Sequence, residues 1–204
     1  MSDGDQISPE CITSKIISDT IRGLNIIEDH GKELIHFVET YRNLTQLPKP
    51  EFTRVNIREF FERITILVNS QFDSEVEIYE KRPLIIAEVI PDDLVLMADD
   101  KLLAQVFLNV IKNSIEAFGN EKKRNEIAIK AGQNPDGRIV LMIQDNGPGM
   151  DADTLEKIFV PFFTTKESGS GIGLSLSRQI IRLHNGSITC DSSPEQGTTI
   201  TMVF

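Results

Sequence analysis

Apolar residues recur along this chain with two periods, and the changes of period divide it into elements. From Cys11 to Leu47, the positions Ile17, Thr20, Leu24, Ile27, Gly31, Leu34, Val38, Tyr41 and Thr45 follow a heptad a/d series, which predicts one long helix. A second apolar set, Ile21, Ile35, Phe37 and Leu44, widens the stripe beyond a two-strand seam. So broad a face needs cover on more than one side, from its own domain or from a bundle or dimer. Pro48 and Pro50 in "LPKPEF" end the helix, since proline lacks the amide donor and clashes with the preceding turn. The domain boundary falls here, with residues 1–50 before it and 51–204 after it.

Beyond the break, "NIREFFERITILVNSQ" is an amphipathic helix from about residue 56 to 71. "PLIIAEVIPDDLVLMAD" predicts two short strands around a turn at Pro91–Asp93. "DKLLAQVFLNVIKNSIEAF" is a strong helix over roughly 100–118, capped by Asp99 or Asp100. "NEIAIKA" and "GRIVLMIQD" alternate as strands joined by an "NPDG" turn. Short helices are expected near 152–159 and 172–184, and "GSITCDSS" and "GTTITMVF" close the chain as two strands. Helices and hairpins mixed in this way predict an α+β fold, a mostly antiparallel sheet with helices on one face.

Charge narrows the partners. With 31 acidic against 21 basic residues the net charge is −10, which argues against nucleic acid, whose phosphates demand a basic footprint. A small phosphate ligand needs only a local patch of donors. No apolar run is long enough to span a membrane, and "MSDGDQISPE" has neither the basic start nor the apolar core of a signal peptide. Cys11 and Cys190 make no disulfide framework or metal site and fit a reducing, cytoplasmic setting.

Three segments carry candidate chemistry. In "QDNGPGM", Asp145 ends an apolar strand and Gly147 and Gly149 follow it. Glycines let a flat ligand lie against bare backbone, and a carboxylate beside them can accept from an exocyclic amine; a plain turn accounts for the same residues. In "KESGSGIGLSLSRQII", Gly169, Gly171 and Gly173 lead into a helix whose first free amides form an anion site, with Lys166 close by. Leu174 stands where a Walker A loop needs Lys, and the Rossmann glycine spacing is missed, so this is neither common phosphate loop. In "QVFLNVIKNSIEAF", Asn109 and Asn113 lie four apart on one face that is otherwise apolar. Buried amides need partners. An internal hydrogen-bond network supplies them in one case, and magnesium bridged to phosphates in the other.

"QVFLNVIKNSIEAF", "DNGPGM", "FVPFFTTK", "GSGIGLS" and "GTTITMVF" resemble, in order, the boxes of the ATP-binding domain of sensor histidine kinases. That domain belongs to the GHKL superfamily, with gyrase-type topoisomerases, the MutL proteins and a heat-shock chaperone. The resemblance covers roughly residues 53–204 and is nearest to the nitrogen-regulation branch; "LPKPEF" and the helix before it resemble the second helix of the kinase dimerization domain. It implies a two-layer sandwich of a mixed, mostly antiparallel sheet with helices on one face. It also implies ATP and Mg²⁺ as ligands, a homodimer through residues 11–47, and a response-regulator receiver domain as partner. Carried over residue by residue, Asn113 binds Mg²⁺ with Asn109 nearby, and Asp145 takes the adenine amino group while Gly147 and Gly149 give the ring room. Gly169, Gly171 and Gly173 wrap the phosphates, Lys166 reaches the terminal phosphate, Thr198 or Thr199 lies near adenine, and Phe159, Phe162 and Phe163 anchor the lid.

Two departures sharpen these expectations. Hydrolysing members of the superfamily carry a glutamate four residues before the magnesium asparagine, whereas Asn109 stands here, and an amide is no base at neutral pH. Phosphoryl transfer to an external nucleophile is the implied chemistry. No histidine fits the acceptor: His30 is followed by Gly31, His36 by Phe37 and His184 by Asn185, none of them acidic. The expectation is a C-terminal fragment of a longer kinase; a natural short protein using a histidine in trans is the other case. A serine kinase of the anti-sigma-factor type and a degenerate nucleotide-binding interaction module are competing functions. The long helix ending in "LPKPEF" counts against the first, and the intact polar groups of all five segments against the second.

Overall fold

The computed structural model describes residues 20–25, 27, 28, 31, 32, 47–72, 83–118, 124–166 and 169–204. The chain divides into two compact units, Met1–Thr45 and Gln46–Phe204. In the first, residues 20–25, 27, 28, 31 and 32 are helical, and Lys32 and Glu28 pair at 2.7 Å one turn apart. Ile21, Leu24 and Ile27 of its apolar stripe are exposed; the rest of the long helix expected over 11–47, most of that stripe and both His30 and His36 lie outside the described residues. No helix among the described residues is long and apolar enough to cross a membrane.

The second unit runs β1 (Thr53–Asn56), α1 (Ile57–Phe72), β2 (Leu84–Val89), β3 (Val95–Ala98), α2 (Asp100–Ala117), β4 (Glu126–Gln133), β5 (Ile139–Asp145), α3 (Ala152–Leu155), α4 (Gly173–Leu183), β6 (Ser187–Ser192) and β7 (Thr198–Val203). A five-stranded sheet has the order β2-β4-β5-β7-β6, and β1 and β3 form a separate two-stranded sheet. Among the described strand pairs only β2–β4 is parallel. The architecture is the expected one, a mixed, mostly antiparallel sheet with helices on one face.

Period-2 alternation in the strands and period-3.6 spacing in the helices meet in one core. Ile127, Ile129 and Ala131 of β4, Leu141 and Ile143 of β5, and Ile200 and Met202 of β7 point inward and are buried. The alternate residues Lys130 and Gln144 are exposed on the other face. Onto this sheet α2 lays Leu102, Leu103, Val106, Phe107, Val110 and Ile111. Phe60 of α1 meets Phe107 edge-on, ring centroids 5.1 Å apart at 88°, the geometry favoured by aromatic quadrupoles. Burying each of these side chains contributes about 1.5–3 kcal/mol.

Three local expectations are refined. The strands flanking Pro91–Asp93 do not pair with each other: β2 lies beside β4 and β3 beside β1. The partner β1, "TRVN", is too short and polar to announce itself, with Val55 its one buried residue. Asp99, not Asp100, caps α2, accepting from the amides of Lys101 and Leu102. The helix expected over 152–159 is only one turn long; past Leu155 the chain tightens to i→i+3 bonds, Lys157 to Thr154 and Val160 to Lys157, ahead of Pro161, which has no amide to donate.

Candidate functional site

Alternation along β5 carries Asp145 inward behind Leu141 and Ile143, so a carboxylate ends a buried apolar row and is only 7% exposed. Buried charge is costly unless hydrogen-bonded, and here it is. Its Oδ1 accepts from the amides of Gly147 at 2.9 Å and Thr198 at 3.1 Å, and its Oδ2 accepts from Ser114 Oγ at 2.7 Å. A carboxylate offers about four lone-pair sites. Three are used, both on Oδ1 and one on Oδ2, which leaves an acceptor direction on Oδ2. Thr198, opposite Asp145 in the β5–β7 ladder, is drawn in by its backbone; its hydroxyl lies 3.1 Å from Ser192 Oγ.

Helical spacing sets the two asparagines on one side of α2, where Asn109 faces α4. Asn109 Nδ2 donates to Ser177 Oγ at 2.9 Å, and Ser177 in turn donates to the Gly173 carbonyl at 3.0 Å. This is the internal network that the sequence allowed for Asn109. The approach requires Gly173: a Cβ there would lie 2.3 Å from Asn109 Oδ1. Asn113 is different, for its Oδ1 accepts from Lys166 Nζ at 3.2 Å, and the same ammonium lies 2.5 Å from Glu116 Oε2. Lys112 stands 3.7 Å from the other oxygen of Glu116.

The glycine segments border the same region. Gly149 has φ +69°, and a Cβ would meet the Ser193 carbonyl oxygen at 2.0 Å, so no other residue fits without moving the β6–β7 turn. The amide of Gly169 bonds to the Lys166 carbonyl at 3.3 Å, and the Gly171 carbonyl accepts from the Phe162 amide at 2.9 Å. α4 then starts at Gly173 with no side-chain cap at Ile172, which leaves its first amides available to an acceptor. Of the three phenylalanines expected to anchor the lid, Phe159 packs on the core and carries the Arg178 guanidinium 5.3 Å from its ring, while Phe162 is 40% exposed with φ 67°.

Four residues that the sequence did not single out complete the arrangement. Ser114 and Ser177 look like polar breaks in apolar faces; a serine at a buried helical position is the signal, because it needs a partner. Glu116 reads in sequence as an ordinary surface charge on α2. Gly197, at φ +79°, brings the turn before β7 against the Asp145 backbone. His184 is structural: its Nε2 accepts from the Asp99 amide at 2.9 Å, and its Nδ1 donates to the Ile180 carbonyl at 2.7 Å, so both ring nitrogens are committed in a neutral tautomer. Among the described residues no group of three or more His, Cys, Asp and Glu side chains is placed to hold a metal.

Comparison with known proteins gives the family and the fold. The profile of the family described as histidine kinase-, DNA gyrase B-, and HSP90-like ATPase matches residues 98–204. The signal transduction histidine-protein kinase AtoS of Escherichia coli (strain K12) is 44% identical over 107 residues, 52% of this chain and 17% of its own. The sensory histidine kinase/phosphatase NtrB of Rhizobium leguminosarum bv. phaseoli is 29% identical over 96% of this chain and 52% of its own. The chain thus spans about half or less of these relatives. Among solved structures, the nucleotide-free catalytic domain of histidine kinase ThkA aligns with a TM-score of 0.63 and 30% identity over 76% of this chain and 95% of that one. ThkA in complex with the response regulator protein TrrA aligns at 0.66 and 24% identity over 100% and 52%, a likeness of fold alone.

Proposed function

The chain belongs to the histidine kinase-, DNA gyrase B- and HSP90-like ATPase family, and from that premise we propose that residues 51–204 bind magnesium-ATP and deliver its terminal phosphoryl group to a histidine. The observation that carries this is the Asp145 carboxylate, buried, fixed by three donors and left with one acceptor direction on Oδ2. That direction suits the amino group of adenine; Gly147, where a Cβ would lie 3.0 Å from Asp145 Oδ1, keeps the backbone beside the carboxylate bare, while Gly149 lets the Ser193 carbonyl pack close. The uncapped start of α4, with Gly169, Gly171 and Gly173, binds the phosphates, and Lys166 adds the charge that reaches the terminal one.

Asn113 fits a magnesium role, because its amide oxygen already accepts from a cation, the Lys166 ammonium. An oxygen donor from one side chain, with phosphate and water supplying the rest, matches how magnesium is commonly held beside nucleotides. Bound there, the ion would neutralise charge on the phosphates. Asn109 is held as a donor to Ser177 and has no basic atom, so water is left without an activating base. Positioning and electrostatics then favour transfer to a histidine nucleophile brought from outside the unit.

The acceptor is a histidine of a dimerization helix brought against this unit, residues 1–50 form part of the dimerization region, and two chains pair through residues 11–47. A response-regulator receiver domain is the onward phosphoryl acceptor, a partner supported by the fold-level likeness to ThkA bound to TrrA. The test is to incubate the chain with labelled ATP, magnesium and a separate dimerization hairpin bearing the acceptor histidine. Acid-labile, alkali-stable label on the hairpin, lost in Asp145→Asn, supports the proposal. Acid-stable serine phosphate, or release of inorganic phosphate alone, overturns it.

A further inference from the structure

We propose that Glu116 is a positioning residue of this site: it holds the Lys166 ammonium against Asn113, so that a magnesium nucleotide takes Asn113 by displacing Lys166. The inference deepens the nucleotide-binding proposal and rests on it. Lys166 Nζ donates to Asn113 Oδ1 at 3.2 Å and to Glu116 Oε2 at 2.5 Å. Asn113 and Glu116 are three residues apart on α2, so their side chains meet over one turn of helix. Among the described residues Lys112 is the other cation beside Glu116, 3.7 Å away on the opposite carboxylate oxygen. Lys166 itself comes from the segment between α3 and α4, the same segment that Phe162 and Gly171 close with a 2.9 Å backbone bond. The three-way contact therefore ties the phosphate-side loop to the helix that carries both asparagines.

Asn113 Oδ1 is a neutral acceptor with two lone pairs. A divalent ion on that oxygen beside the ammonium would set two cations within a few ångströms of each other, and in a partly desolvated site they repel strongly. Lys166 leaves as the metal arrives, and the phosphates that come with the metal are its new counter-charge. Glu116 opposes this exchange, since its carboxylate neutralises the ammonium only while Lys166 rests on α2. The Lys166 and Glu116 side chains are 35% and 39% exposed, so solvent screens the pair and its hold is modest. Such a restraint sets how readily the site exchanges its own cation for a bound one, without closing the site.

Glu116→Gln keeps the shape and removes the charge. Calorimetric titration of the full chain with a non-hydrolysable ATP analogue, in magnesium and in EDTA, reads the consequence. The expected result is binding about two- to fivefold tighter in magnesium, with a smaller change in EDTA, where no metal displaces Lys166. Lys112→Met, which removes the cation that does not touch Asn113, should leave the ratio of the two affinities unchanged. Equal tightening with and without magnesium would be a general charge effect and would overturn the inference. Unchanged or weaker binding would overturn it too, making Glu116 neutral or a partner of the hydrated metal. If the unaltered chain shows no magnesium-dependent binding, the nucleotide proposal itself fails, a result distinct from all of these.

Discussion

Ser114→Ala probes the donor set of Asp145 with a single atom. Ser114 and Asp145 are 5% and 7% exposed, and their 2.7 Å bond joins a neutral hydroxyl to a buried carboxylate. Hydrogen bonds to charged groups contribute about 1.5–3 kcal/mol, and the remaining acceptor loses one of three donors instead of being stranded. Alanine returns about 0.5 kcal/mol through its higher helix propensity. The net loss is therefore about 1–2.5 kcal/mol, read as a lower urea midpoint at unchanged slope. With Asp145 less firmly aimed, affinity for an ATP analogue should fall about three- to tenfold, and Ser114→Thr should recover most of both by restoring the hydroxyl. Stability within about 0.5 kcal/mol of the parent, together with unaltered nucleotide affinity, would refute the role assigned to this bond.

Further outcomes follow from other contacts. Gly149→Ala, forced to φ +69° with its Cβ 2.0 Å from the Ser193 carbonyl oxygen, should destabilise the fold by more than about 1–2 kcal/mol and weaken nucleotide binding, visible in melting and titration. Burial alone would raise the Asp99 carboxyl, but the amides of Glu51, Leu102 and Lys101 outweigh it and hold its pKa below the ordinary 3.8. A carboxyl depressed in the folded state stabilises above about 3.8 and loses that contribution as pH falls toward its folded value. Urea midpoints of the parent and of Asp99→Asn, which keeps a capping side chain, should therefore converge below about pH 4; a constant gap would contradict this. Burial, with Asp191 and Asp145 nearby, pushes the Cys190 thiol up to about 12, so the peptide holding it should alkylate slowly at pH 8 in the native protein and quickly in urea.

Legibility from sequence followed the length scale of the interaction. Elements longer than about one turn or four alternating residues were readable, because Leu103, Phe107 and Ile111 or Ile127 and Ile129 repeat with the period of their backbone. β1 was not, since four residues with one buried side chain carry no period. The glycine and aspartate segments were readable as chemistry because backbone constraint and buried charge leave composition marks at short range. What escaped was side-chain pairing between distant segments: Ser114 with Asp145, Ser177 with Asn109 and Lys166 with Glu116 lie 31, 68 and 50 residues apart. Each depends on which helix faces which strand end, and no local pattern encodes that. His184 and Asp99, 85 residues apart, show the same limit for a purely structural contact.

The central claim, one magnesium nucleotide per chain held between Asp145 and the start of α4, is tested most directly by calorimetric titration of a non-hydrolysable ATP analogue with and without Mg²⁺. One site per chain is expected, tighter in magnesium, abolished in Asp145→Asn and weakened in Asn113→Ala. Absence of binding in a folded chain, or binding indifferent to magnesium and to both substitutions, would contradict it.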